Sequence, residues 1–155
     1  MYYVKIILNT AFETPFLIYI KINIYEVYNM TKNKFKCVEF DDNNKKISIL
    51  IGNQCSIDYA DIKKVSILNQ QATFKNEKKP FTHQIMYGTA VLCAIMEPQF
   101  YVGLKFELKD GSVKAAFISD RKTIFNTDIY REDNKEANKI KKMIDKRINE
   151  AVTNS

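Results

Sequence analysis

Two carboxylates stand close together in CSIDYADIKKV, where Asp58 and Asp61 have the residue type needed for general acid and base chemistry. Such a pair needs a partner base, a set of metal ligands or a glycine loop that holds phosphate, and no motif of this kind accompanies it. Acidic residues in this setting are more often turn residues. We therefore expect no catalytic residues and predict that the chain is not an enzyme.

The cysteine and histidine residues offer little material for a metal site or an activated nucleophile. His83 is the single histidine, and Cys37, Cys55 and Cys93 are widely spaced without a C-x-x-C pair. An odd set of cysteines with no disulfide framework is typical of a reducing compartment. We expect no metal, no cofactor and a cytoplasmic location, with attachment to the membrane periphery as the alternative.

Two pairs of adjacent lysines in predicted loops, Lys45-Lys46 and Lys63-Lys64, are the remaining candidates for a binding site. The chain has 24 Lys and Arg residues against 18 Asp and Glu residues, and a net charge of +6 permits attraction to phosphates or anionic lipid. Exposed lysines lack the bidentate geometry of arginine, and salt screens their charge. We predict a weak, salt-dependent anion contact at these four residues, with solubility as the alternative role.

The composition suits one domain preceded by a different segment. A chain of 155 residues with 46% hydrophobic and 27% charged residues can bury a core without metals or disulfides. The first 29 residues are rich in Ile and Tyr, which suits added strands. However, Glu26-Val27 can be encoded by GAGGTN, a ribosome-binding sequence just upstream of Met30. We predict one domain at 30–155, with 1–29 either an upstream translation artefact or added strands.

From residue 34 onwards, runs of β-type residues alternate with turns. KFKCVEF (34–40) and ISILIG (47–52) predict a hairpin, because an Asx-rich turn separates them. CSIDYADIKKVSIL (55–68) predicts a strand, a kink and a further strand. ATFKN (72–76) and RKTIFN (121–126) are predicted to form two more strands.

The clearest turn signal is Asp110-Gly111 in VGLKFELKDGSVKAAFI (102–118). This dipeptide favours positive φ angles and predicts a two-residue type I′ turn. The register that follows pairs apolar residues on one face and opposite charges on the other. The predicted pairs are Leu108 with Val113, Phe106 with Ala115, Leu104 with Phe117, and Glu107 with Lys114.

The C-terminal part changes to a helical period. Its apolar positions recur at the spacing of one amphipathic helix face, and these are Ala137, Ile140, Ile144, Ile148 and Ala151. Asp133 and Glu136 resemble a capping box, so we predict a helix from about Asn134 to Val152.

An uncharged run from Phe81 to Met96 lies within the less regular stretch 81–98. It is too short and too polar at its start for a membrane span. A buried strand or hairpin is one interpretation. The alternative is a hydrophobic loop or short helix that touches a membrane or another subunit.

The order of these elements resembles that of a bacterial pleckstrin-homology-like (PH-like) domain. ISILIGNQCSIDYADIKKVSIL is similar to the family's strand, I-x-Y-x-D-I-x-x-V step and following strand, and KFELKDGSVKAAFIS leads to the helical DNKEANKIKKMI. The resemblance covers roughly residues 34–151. It implies a mainly β fold of the α+β class, a partly open barrel of about seven antiparallel strands capped by one C-terminal amphipathic helix.

The resemblance also implies a non-catalytic binding or assembly module. Relatives that bind phosphoinositides carry a K-x(n)-[KR]-x-R arrangement in the first hairpin, but Ser48 occupies the final basic position here. The expected partner is another protein, a second copy of the chain or a weakly held anionic membrane, and we expect no specific nucleic acid. The alternative function is a β-barrel that binds a small apolar ligand or a membrane lipid.

Overall fold

The computed structural model describes residues 33–75, 77–86 and 98–153. The chain divides into two compact units, Met1–Lys34 and Phe35–Ser155, and the described residues belong almost entirely to the second. The prediction for 1–29 therefore lies outside the described residues. The same holds for residues 87–97, the central part of the stretch 81–98.

Two three-stranded antiparallel sheets and one C-terminal helix make up the described part of the second unit. The first sheet has the order β1-β2-β3, formed by β1 (Val38–Asp41), β2 (Lys46–Ile49) and β3 (Cys55–Asp58). The second has the order β4-β5-β6, formed by β4 (Ile62–Gln71), β5 (Phe100–Leu108) and β6 (Val113–Phe117). The helix α1 spans Asp128–Thr153. The predicted mainly β fold of the α+β class is confirmed.

The finer prediction of about seven strands in a partly open barrel is not confirmed by the described residues. The described residues contain six strands, and each hydrogen-bonded ladder between these strands joins two strands of the same sheet. The sheets meet at one corner, where Gly52 bridges to Ala116. Gly52 has a φ of 126°, and a Cβ there would lie 2.1 Å from the carbonyl oxygen of Ala115, so this close approach requires glycine.

The first hairpin and the kink are confirmed. β1 and β2 pair from Val38 opposite Ile49 to Asp41 opposite Lys46. The Asp41 carboxylate accepts hydrogen bonds from the backbone and side-chain amides of Asn44 in the turn, at 3.0 and 2.7 Å. After β3, a short 3₁₀ turn carries the chain from the first sheet into the second.

The β5–β6 hairpin forms, but its predicted turn and register are wrong. The loop has three residues, 109–111, because the Leu108 N–H donates to the Ser112 carbonyl at 2.9 Å and the Gly111 N–H donates to the Leu108 carbonyl at 3.1 Å. Of these residues only Gly111 has a positive φ, 84°. This pattern is a type I turn followed by a left-handed glycine. The Asp110 carboxylate supports it by accepting the Ser112 N–H at 2.8 Å.

The extra loop residue shifts the register by one and exchanges the two faces of β6. Ala116, not Phe117, lies opposite Leu104, and it joins the main core. The outer face of the second sheet instead carries a second buried cluster of Phe81, Ala115 and Phe117. The remaining observed pairs are Gly103 with Phe117, Lys105 with Ala115, Phe106 with Lys114, and Glu107 with Val113.

Two of the predicted strands do not form in the part of the chain that the structure describes. Ala72–Phe74, within the predicted strand 72–76, forms a 3₁₀ turn. The predicted strand 121–126 contributes one isolated bridge, in which Thr123 exchanges two backbone hydrogen bonds with Phe100. Both segments serve as connections at the end of the second sheet.

The helix begins earlier than the predicted capping box indicated. Thr127 is the cap, because its hydroxyl oxygen accepts the Tyr130 N–H at 3.3 Å. Asp133 lies inside α1, where its carboxylate accepts a hydrogen bond from the Ser119 hydroxyl at 2.5 Å. Ser119 in turn accepts the Val102 N–H at 2.9 Å, which ties the helix to β5.

The predicted apolar face of α1 packs on the core. Ala137, Ile140 and Ile144 have no exposed surface, and they share one apolar cluster with residues of both sheets. The largest fully buried side chains of that cluster include Phe100 and Phe106. Side chains therefore fill the space between the sheets and the helix.

Truncation of the helix at its most buried point should destabilise the protein. We expect Ile144→Ala to lower the free energy of unfolding by about 2–5 kcal/mol, because it removes buried methyl groups and leaves a cavity. Urea denaturation measures the change. The control is Lys142→Ala at an exposed position of the same helix, where the effect should stay within about 0.5 kcal/mol. An equally small effect at Ile144 would contradict the observed docking of α1.

Candidate binding groove

A groove with a volume of about 650 Å³ runs between β4 and α1. β4 contributes residues 63–67. The helix contributes Asn138, Lys141, Asp145, Ile148 and Asn149.

β4 forms one side of the groove, and its outer edge is the one that does not pair with β5. Near its C-terminal end this edge is occupied, since the Gln71 N–H donates to the His83 carbonyl at 2.9 Å and the Ile85 N–H donates to the Asn69 carbonyl at 2.8 Å. Residues along a strand alternate in the side to which their backbone groups point. Val65 and Ile67 therefore direct their N–H and C=O groups away from β5, but Val65 is only 2% exposed, so its backbone groups are buried.

A β-bulge between Ile62 and Lys64 interrupts the β4–β5 ladder at the start of β4. The groove is therefore bounded by the irregular start of a strand on one side and by a helix on the other.

The lining of the groove carries net positive charge, with three lysines against one aspartate. The aspartate is already engaged, because Lys141 donates to Asp145 at 2.5 Å. Lys63 and Lys64 are exposed, and neither forms an ion pair with another described residue. Their charges are therefore available to an anionic partner.

An acidic residue beside these lysines, on the neighbouring strand, already contacts another cation. Glu107 lies opposite Lys64 in the β4–β5 ladder, and its carboxylate contacts Lys105 at 2.9 Å. The hydrogen bond and charge of Lys105 lower the pKa of Glu107, and the positive charges of Lys64 and Lys63 lower it further.

The two predicted lysine pairs lie in different surroundings. Lys63 and Lys64 line the groove, whereas the pair at 45–46 does not. Lys45 is the last residue of the β1–β2 turn, with a φ of 54°, and its carbonyl accepts the Tyr59 N–H at 2.9 Å. Lys46 forms an ion pair with Asp58 at 3.4 Å. The structure brings only the second pair to the groove.

Sequence reasoning missed an arginine that positions the helix. Arg147 donates two hydrogen bonds to the Asp42 carboxylate, at 2.6 and 2.7 Å, and its guanidinium lies 4.3 Å from the ring centre of Phe40. The Tyr59 hydroxyl donates to the same carboxylate at 3.0 Å. Burial, this hydrogen bond and the charge of Asp42 raise the pKa of Tyr59. No sequence signal links Arg147 to Asp42, because they are 105 positions apart.

The residues considered first for catalysis or metal binding do not assemble into a centre. Asp58 ends β3, and Asp61 belongs to the 3₁₀ turn that follows. His83 contacts Glu77 at 3.0 Å and stacks on Phe74 with ring centres 3.8 Å apart. No group of three or more potential metal-ligating side chains comes together in the ranges that the structure covers.

Comparison with protein-family models, with curated proteins and with solved structures finds no match to this chain. Within the described ranges, no helix is long and apolar enough to cross a membrane. The groove and its chemistry are therefore the basis on which a function can be proposed.

The lysine pairs lead to a prediction for anionic membranes. We expect weak co-sedimentation with phosphatidylserine vesicles at low salt that is largely lost at physiological salt, because exposed charges are screened. Lys63→Ala with Lys64→Ala should weaken it more than Lys45→Ala with Lys46→Ala, since Lys46 is already paired with Asp58. Saturable, headgroup-specific binding that persists at physiological salt would contradict this expectation.

The different burial of Cys37 and Cys55 leads to a prediction of their reactivity. Cys37 has no exposed surface, and burial, followed by the negative charge of Glu136, raises its pKa to about 12. At pH 8 the thiolate, which is the reactive form, is therefore rare. We expect iodoacetamide to modify the partly exposed Cys55 in the native protein and to reach Cys37 only after unfolding. Mass spectrometry of the two peptides measures this difference, and equal rates would refute it.

Proposed function

We propose that the chain is a non-catalytic, PH-like binding or assembly module that takes its partner on its surface, in the groove between β4 and α1. In this proposal the fold is a partly open PH-like barrel of about seven antiparallel strands capped by α1. Two packed antiparallel sheets and a C-terminal helix support it. A seventh strand has to come from outside the described residues.

The observation that carries the proposal is the basic surface groove between β4 and α1. Lys63, Lys64 and Lys141 line it, and its one carboxylate, that of Asp145, is already bonded to Lys141. A concave surface with charge of one sign attracts partners of the opposite charge. The partner we propose is another protein, and the proposed location is the cytoplasm or the membrane periphery.

The filled interior argues against the alternative of a barrel that holds a small apolar ligand or a lipid. Phe100, Phe106 and Ile47 occupy the space between the sheets without exposed surface. A barrel that binds a ligand inside needs an interior left open by its side chains. Binding on the surface is the function that this packing favours.

The test compares capture of partners by three forms of the tagged, full-length protein in lysate of its own cells. Asn149→Trp places a bulky ring at an exposed position of α1 that lines the groove. Lys142→Trp, the matched control, places the same ring at an exposed position of α1 outside the lining. Thermal melts show that both variants are folded.

We expect the wild type and Lys142→Trp to capture the same protein and Asn149→Trp to lose it. Capture that is unaffected by Asn149→Trp would place the binding surface elsewhere. Absence of any specific protein with all three forms would overturn the proposed module.

A further inference from the structure

The outward side of α1 carries a row of lysines outside the groove beside β4. Four exposed residues form this row, which we call the lysine ridge: Lys135, Lys139, Lys142 and Lys146. None of them lines the groove. We propose that the lysine ridge binds the phosphate backbone of double-stranded DNA without reading its sequence. The lysine ridge is a second surface of the protein, and its role does not depend on the proposed function.

The spacing of these lysines places them on one line along the helix. They are four, three and four residues apart, and at about 100° of rotation per residue they fall within an arc of about 60°. Ile140 and Ile144, which have no exposed surface, lie on the opposite side of α1. The lysine ridge is therefore the part of the helix farthest from the core, and it is roughly 16 Å long at about 1.5 Å per residue.

The positive charge of the lysine ridge meets little opposing charge. Lys135 and Lys142 form no ion pair with another described residue. Lys146 contacts Glu150 at 3.6 Å, but 73% of the lysine side chain is exposed, and an ion pair of this kind contributes little. Glu132 and Glu150 lie beyond the two ends of the row. Its four lysines therefore present charge of one sign to a partner.

Neighbouring groups leave the middle of the lysine ridge positive. The Lys139 ammonium lies 5.2 Å from the ring centre of Phe35, a contact that orients the side chain and keeps its charge. Two acidic residues occur between the ends of the row, but they lie on other sides of the helix. One of them is Glu136, and the other is Asp145, which lines the groove and is bonded to Lys141.

The shape of the lysine ridge favours DNA over a membrane. A helix that binds a bilayer surface buries an apolar face in it, whereas the apolar face of α1 is taken by the core. A helix with its side chains is about 10–12 Å across, and the major groove of B-DNA is about 12 Å wide with a strand backbone on either side. Lys135 and Lys142 lie on one side of the row and Lys139 and Lys146 on the other, about 40° apart. Each pair therefore faces one of the two strands.

The chemistry of lysine predicts contact with phosphates and steep dependence on salt. Lysine acts as a point charge without the fork of arginine, and phosphate contacts carry no sequence information. For contacts to four phosphates of B-DNA, the logarithm of the binding constant falls with the logarithm of salt concentration with a slope of roughly −3.6. This slope corresponds to a loss of roughly 150-fold in affinity between about 50 and 200 mM salt.

The direct test is fluorescence anisotropy of the full-length protein with a labelled duplex of about 20 base pairs, over the same range of salt. The ridge variant carries Lys135→Gln, Lys139→Gln, Lys142→Gln and Lys146→Gln. The control variant makes the same change of net charge at four other exposed lysines, with Lys45→Gln, Lys46→Gln, Lys63→Gln and Lys64→Gln. At about 50 mM salt we expect the ridge variant to bind at least about tenfold more weakly than the wild type and to lose most of the salt slope, and the control variant to stay within about threefold.

Equal losses with the two variants would mean a response to net charge and would overturn the role of the lysine ridge. Absence of binding by the wild type at the lowest salt would overturn the DNA contact. A second duplex of unrelated sequence should bind equally well, and a tenfold preference for either duplex would overturn contact by the backbone alone. These wild-type measurements do not depend on whether a variant folds, and thermal melts show whether the two variants are folded.

Other polyanions give different results. Unlabelled duplex should displace the labelled duplex at a phosphate concentration at least about tenfold lower than that needed with phosphatidylserine vesicles or with a single strand of the same sequence. Stronger competition by the vesicles would favour a membrane surface. Stronger competition by the single strand would mean that the major groove of a duplex is not needed. Either result would overturn the binding of double-stranded DNA.

Discussion

Burial of one face of α1 against the two sheets is the interaction on which the rest of the structure depends. A three-stranded sheet by itself has an apolar face that must be covered before it is stable. Ala137, Ile140 and Ile144 provide that cover and join the core residues of both sheets into one cluster. The same helix forms the wall of the groove. Stability and the candidate function therefore share one element.

Polar contacts determine where that helix lies. In the N-terminal half of α1, Asp133 accepts a hydrogen bond from Ser119. In the C-terminal half of α1, Arg147 donates a hydrogen bond to Asp42. The Asp42 carboxylate is about half exposed, with a side-chain exposure of 46%, so solvent screens this pair and its contribution to stability is about 1 kcal/mol or less. Its importance lies in geometry. These contacts at two positions of α1 fix the direction of its axis, and the direction of the axis determines the width of the groove beside β4.

The β5–β6 hairpin shows how a correct local signal can lead to a wrong register. Asp110-Gly111 does mark the turn, and Gly111 does take a positive φ. However, two-residue and three-residue loops both accept this dipeptide, and they differ by one position in register. The observed choice places Phe117 against Phe81 on the outer face of the sheet. That contact is made by residues far apart in sequence, so no local pattern predicts it.

The sequence by itself determined the α+β class, the first hairpin, the kink after β3 and the apolar face of α1, because each depends on turn chemistry or periodicity within a few residues. Lys63 and Lys64 were also recognised from sequence as candidate contacts. Only the tertiary structure decided that β4 is an edge strand, that α1 lies beside it and that the lysines at 45–46 stay outside the groove. These features follow from strand pairing and helix placement, which depend on contacts between distant residues. The groove exists where β4 and α1 meet, and neither segment encodes it alone.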